Sequence, residues 1–67
     1  MFAYAQKEGL ITSIVQAGRK WRVRVAGTEW FAAQVENAAA LAIGDMVQVV
    51  GLVNATTLLV KRLSQPE

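Results

Sequence analysis

The amino-acid sequence predicts an all-β fold, a small five-stranded OB-fold barrel of Greek-key type with a short helical turn or loop between strands 3 and 4. Three observations predict it. Turn-forming residues cut the 67-residue chain into short, evenly spaced apolar pieces. Twelve residues are Val or Ile, whose branched side chains suit strands. No segment holds a helical period long enough to make a stable helix alone. A chain this short holds one core, and it buries only about 60% of the surface its unfolded form exposes. Strand counting by itself leaves an SH3-like barrel as the rival.

Gly9 opens the first apolar segment and Ala17-Gly18-Arg19-Lys20 closes it. The first strand, residues 10–16, carries Leu10 and Ile14 on one face and Ile11 and Val15 on the other. Apolar residues on both faces are expected where a strand bends to join two sheets of a barrel. The second strand, residues 21–25, alternates cleanly, with Trp21, Val23 and Val25 on one side and Arg22 and Arg24 on the other. Gly27 marks the next reversal. The third strand, residues 30–35, is apolar nearly throughout and does not declare its inward face. Residues 36–44 are rich in alanine, with Asn37 as an N-cap and Gly44 as a stop, and read as a helical turn or a compact loop. The fourth strand, residues 46–53, turns Val47 and Val49 inward. Asn54-Ala55-Thr56 interrupts the last apolar run. The fifth strand, residues 57–63, turns Leu58 and Val60 inward opposite Lys61. The domain reading is a flexible N-terminal segment over residues 1–8, the barrel over 9–63 and a tail over 64–67.

Composition narrows the function. The chain has no cysteine and no histidine, which excludes disulfide staples, zinc fingers and histidine acid–base chemistry. The five acids, Glu8, Glu29, Glu36, Asp45 and Glu67, fall in predicted turns or termini without paired spacing. Ser13 and Ser64 sit in no nucleophile motif, and no Gly-x-Gly phosphate loop occurs. The expectation is a non-enzyme with no catalytic, cofactor or metal residues. The longest apolar run, residues 38–43, is far short of the roughly 20 residues of a membrane span. The N-terminus has neither the basic start nor the apolar stretch of a secretory signal.

Two features stand out as candidate sites. Arg19, Lys20, Arg22 and Arg24 form a basic stripe around the second strand, and Lys20 joins the face of Arg22 and Arg24 if that strand starts early. With a net charge of +2 and a pI of about 9.5, the stripe reads either as a solvated sheet face or as a patch for an anionic partner. Phe31 is the ring available for stacking beside it, since Trp21 points the other way. The second feature is Trp30 with Ala32, a large ring beside a small residue. It reads either as core packing or as an exposed partner anchor. The apolar share of 54% is more than a barrel this small can hide, so an exposed apolar patch is expected, and an exposed patch marks an interaction site.

The pattern over residues 9–63 resembles the C-terminal soluble domain of the NfeD family. The resemblance rests on Gly27-Thr28-Glu29-Trp30-Phe31-Ala32, similar to the family's G-x-x-W-x-A signature. It continues in Ile43-Gly44-Asp45-Met46-Val47-Gln48-Val49-Val50-Gly51, which looks like its G-x-x-V-x-V-V-G strand, and in Leu58-Leu59-Val60. Gly27, Trp30, Ala32, Gly44, Val47 and Val49 are the signature positions. Two departures are visible: no proline stands before the first hairpin glycine, and these 67 residues contain none of the membrane-spanning helices that usually accompany the domain in the family. The resemblance implies the soluble part or a stand-alone copy of a membrane-associated protein. It implies a non-catalytic protein–protein interaction module that works with a stomatin-like (SPFH) partner in membrane organisation or membrane-protease regulation. The alternative is a cytoplasmic OB-fold protein that binds single-stranded nucleic acid. Self-association is compatible with either.

Overall fold

The alternation read from residues 21–25 is realised side chain by side chain, and the strand starts one residue earlier, at Lys20. Trp21, Val23 and Val25 are buried at 1%, 0% and 0% exposure, while Arg22 and Arg24 face solvent. A computed structural model describes residues 7–35 and 40–63. They form β1 (Glu8–Gln16), β2 (Lys20–Val25), β3 (Thr28–Gln34), β4 (Met46–Asn54) and β5 (Thr57–Arg62). The expected N-terminal segment, apart from residues 7 and 8, and the expected tail lie outside the described residues, as does the first half of the alanine-rich stretch. Glu8 already belongs to β1, where it pairs with Gln48.

The strands close into a barrel in the order β1-β2-β3-β5-β4, with β4 returning to β1. Four of the five pairings are antiparallel, and β3–β5 is parallel, with Phe31 opposite Thr57 and Gln34 opposite Val60. That long-range parallel pair makes the barrel an OB-fold rather than a simple meander. β1 is the strand shared between both halves. Residues 8–10 pair with β4 and residues 10–16 with β2, and the register slips between Ile11 and Ser13 and again between Ile14 and Gln16. Such bulges sharpen twist and let one strand serve two partners. They also explain why β1 is apolar on both faces yet contributes only Ile11 to the core.

Turn chemistry sets the local reversals. Ala26 (φ 52°) and Gly27 (φ 81°) link β2 to β3, and two consecutive left-handed residues make the tight hairpin whose twist matches the flanking strands. At the β4–β5 turn, Asn54 Oδ1 accepts hydrogen bonds from the Thr56 N–H (3.0 Å) and the Thr56 hydroxyl (3.2 Å), an Asx-turn.

Ile11, Trp21, Val23, Val25, Ala32, Leu41, Val47, Val49, Leu58 and Val60 form one continuous core. The connection before β4 plugs it. No helix occurs among the described residues, so the loop reading of this stretch is the one realised over residues 40–45. Leu41 is 3% exposed, and its carbonyl accepts the indole N–H of Trp21 at 2.9 Å. Gly44 serves in a tight turn closed by Asp45 N–H to Ala42 O (3.0 Å), not as a helix stop.

Asp45 and Arg62 pin this plug in place. The Asp45 carboxylate accepts the Ala42 N–H at 2.8 Å and the Arg62 guanidinium at 2.9 Å, while Arg62 also donates to Ala40 O at 2.8 Å. The bond from the Ala42 amide, assisted by Arg62, holds the Asp45 carboxyl below its ordinary value of 3.8. A carboxyl lowered in the folded state stabilises the fold above the unfolded-state pKa and loses that contribution as pH falls through the lowered value. Urea midpoints should therefore fall on acidification below about pH 4. Asp45→Asn should show a lower midpoint at neutral pH and a shallower acid decline. An unchanged acid decline in that variant would assign the effect to other carboxylates.

Candidate functional site

Strand period two brings Lys20, Arg22 and Arg24 onto the outward face of β2, because β2 begins at Lys20. The two-residue hairpin then fixes what lies opposite: Phe31 across from Arg22, and Glu29 across from Arg24. The Lys20 ammonium sits 4.2 Å from the centre of the Phe31 ring and the Arg22 guanidinium 5.3 Å from it, both within cation–π reach. Glu29 accepts Arg24 Nη2 at 2.9 Å and lies 3.6 Å from Arg22 Nη1. These side chains are half exposed, so the ion pairs contribute little to stability. What they do is set the charge of the face, three cations around a single carboxylate. Arg19 stands just outside the strand, exposed in the β1–β2 turn.

Trp30 lies on the inward side of β3, opposite Val23, and packs half-buried against the core at one end of the barrel. Ala32 is wholly buried, opposite Trp21. Trp30 packs on the core as the first reading of the sequence expects, and its remaining surface lines a groove of about 410 Å³. The groove is lined on the β3 side by Thr28, Glu29, Trp30 and Phe31 with Arg22 beside them, and on the other side by the β4–β5 turn residues Ala55 and Thr56. The remaining signature positions are structural: Val47 and Val49 are core residues, and Gly27 and Gly44 shape turns.

A second surface is apolar. The large hydrophobic side chains left exposed lie on β1 (Leu10, Ile14, Val15), on β4 (Met46, Val50, Leu52, Val53) and at Ile43 just before β4. Leu10 pairs directly with Met46, so β1 and β4 share one exposed apolar contact at their seam, while Ile14 and Val15 lie toward one end of it and Val50, Leu52 and Val53 toward the other.

Some of the site was missed in the sequence. Glu29 was read as an isolated turn acid. A hairpin centred on residues 26 and 27 places it opposite Arg24, so that pairing could have been found by counting outward from Gly27. No comparable signal pointed to Ala55 and Thr56, which reach the groove only through the β3–β5 pairing. Trp21, not Trp30, is the ring that fills the core. Among the described residues no group of three or more His, Cys, Asp or Glu could hold a metal, and no helix is long and apolar enough to cross a membrane.

Comparison with solved structures places the barrel. It superposes on the C-terminal domain of stomatin operon partner protein 1510-C from Pyrococcus horikoshii with a TM-score of 0.79 and 22% identity, covering 92% of this chain and 91% of that one. It superposes on the soluble domain of a membrane protein implicated in regulation of membrane protease activity from Corynebacterium glutamicum with a TM-score of 0.71 and 26% identity, covering 87% and 89%. No protein-family model and no curated protein sequence matches the chain.

Proposed function

We propose that this OB-fold barrel is an NfeD-like, non-catalytic interaction module of a membrane-associated protein, a reading supported by its likeness to the two solved domains and by the resemblance of residues 27–32 and 43–51. It presents a rigid barrel surface to a stomatin-like (SPFH) partner and so acts in membrane organisation or in regulating a membrane protease. The observation that carries the interaction role is the set of exposed large apolar side chains on β1 and β4, which meet at the Leu10–Met46 pair. A barrel whose other strands leave no large hydrophobic side chain exposed among the described residues concentrates its unburied apolar area there, and such patches mark contact sites. The neighbours' descriptions, a stomatin operon partner and a membrane-protease regulator, support the choice of partner class.

The test is to isolate the tagged native gene product from membranes with detergent and to ask whether a stomatin-like protein co-elutes. Co-elution lost on Leu10→Asp with Met46→Asp, both at exposed positions, is the expected result. A native product that is soluble and elutes alone overturns the proposal.

Single-stranded nucleic acid remains the second reading because OB-folds bind oligonucleotides on the β2–β3 face, where Lys20, Arg22 and Arg24 stand. Two observations count against it. Glu29 places a carboxylate among those cations, and Phe31 already has Lys20 and Arg22 over its ring.

A further inference from the structure

The groove beside β3 is separate from the apolar β1–β4 surface and has the features of a strand-docking site. β5 runs alongside β3 only from Phe31 onward, so beside Thr28, Glu29 and Trp30 the groove takes the place of a neighbouring strand. The Phe31 N–H points to that side, since it bonds to Thr56 O at 3.1 Å. The backbone of Glu29, two residues earlier in the same strand, faces the same way. An amide and a carbonyl are thus offered to an incoming extended chain beside the Trp30 ring, which lines the groove on the inward side of β3. Main-chain bonds to a sheet edge with pockets for alternate side chains are how domains capture extended peptides.

The charges select among peptides. Arg22 and Glu29 line the groove, and Lys20 and Arg24 flank Arg22 on the same outward face of β2, so cations outnumber the carboxylate beside the groove. Arg22 and Arg24 hold Glu29 through half-exposed pairs, which a competing carboxylate can replace with bonds of the same kind. Nucleic acid fits less well, because stacking needs successive rings with open faces. Here Trp30 is turned onto the core and Phe31 is covered by cations. Resting on the interaction-module reading, we propose that this groove binds an extended acidic peptide segment of the partner protein, with one apolar side chain against Trp30 and the adjacent carboxylate, on the outward face, paired with Arg22.

The test is an NMR titration of the isotopically labelled 67-residue chain. The probe is a short capped peptide of alternating valine and aspartate around one phenylalanine. Controls are the same peptide with lysine for aspartate, and oligo-dT at low salt. The expected result is shift changes confined to Arg22, Thr28–Phe31, Ala55, Thr56 and the Trp30 indole, with smaller ones at Arg24. Affinity should fall roughly tenfold or more for the lysine peptide and for Arg22→Glu, as loss of a charge-assisted pair predicts. Ala55→Glu, on the opposing wall, should weaken the aspartate peptide while leaving the rest of the spectrum unchanged. The proposal is overturned if the aspartate peptide leaves the groove resonances unmoved, if the lysine peptide binds equally well, or if oligo-dT occupies the groove more tightly. Partner co-elution that survives Arg22→Glu without peptide binding sinks the groove and leaves the interaction module standing. Peptide binding in a chain that finds no membrane partner supports the groove and sinks the membrane role.

Discussion

Trp21→Ala should leave the chain largely unfolded at room temperature. Trp21 is the largest fully buried side chain, 1% exposed, and it packs where β2 meets the loop that plugs the barrel. Truncating a buried Trp to Ala costs about 3–5 kcal/mol through lost transfer energy and the cavity left behind. Its indole N–H also satisfies the Leu41 carbonyl at 2.9 Å, and stranding a buried acceptor adds about 1–3 kcal/mol. A domain of this size sits near the lower end of the usual range of about 5–15 kcal/mol. Far-UV circular dichroism with urea denaturation checks the outcome. A variant within about 1 kcal/mol of the parent would show that the ring does not hold the core together. Trp21→Phe separates the two terms, since it keeps most of the ring and loses only the donor. It should fold with a loss of about 1–3 kcal/mol. Trp30→Ala should cost less than Trp21→Ala, because Trp30 is only half-buried.

Gly9→Ala should be the most damaging single-methyl change in the barrel. A methyl built on Gly9 would stand 2.7 Å from Val23 Cγ2, 2.8 Å from Val25 Cγ2 and 3.0 Å from the Arg24 carbonyl oxygen. None of the three moves away easily. The valine methyls are buried on a central strand with restricted χ1, and the carbonyl is sheet backbone. Overpacking of this kind costs about 1–3 kcal/mol. Gly51→Ala is the matched control, because its new methyl would meet Leu59 at an ordinary 3.8 Å. Parallel urea titrations should show a large loss for the first and little for the second. Equal stabilities would mean that β1 shifts outward to make room.

Gly9 also shows where local reading fails. In the sequence it looks like a turn glycine opening an apolar segment, whereas in the fold it is a buried strand residue opposite Val47. Its requirement comes from β2 crossing close beneath it, and nothing near it in the chain signals that approach. β3 makes the same point. Its near-continuous apolar run gives no periodicity, and its facing is decided by the hairpin with β2, which puts Trp30 and Ala32 inward and Phe31 outward. The alanine-rich stretch was equally ambiguous. Its described part is held by Trp21, Asp45 and Arg62, groups contributed from other segments or from the turn that follows.

By itself the sequence determined the all-β class and its five strands. It also determined the burial of Val23, Val25, Val47, Val49, Leu58 and Val60 and the outward cations of β2, because alternation and turn chemistry act over a few residues. Only the tertiary structure decided that Trp30 packs against the core, that Gly9 must stay small, and that Ala55 and Thr56 share a groove with Trp30. Each of these follows from how separate strands pair, β1 with β2, β2 with β3 and β3 with β5, and such pairings leave no periodic trace in either partner alone.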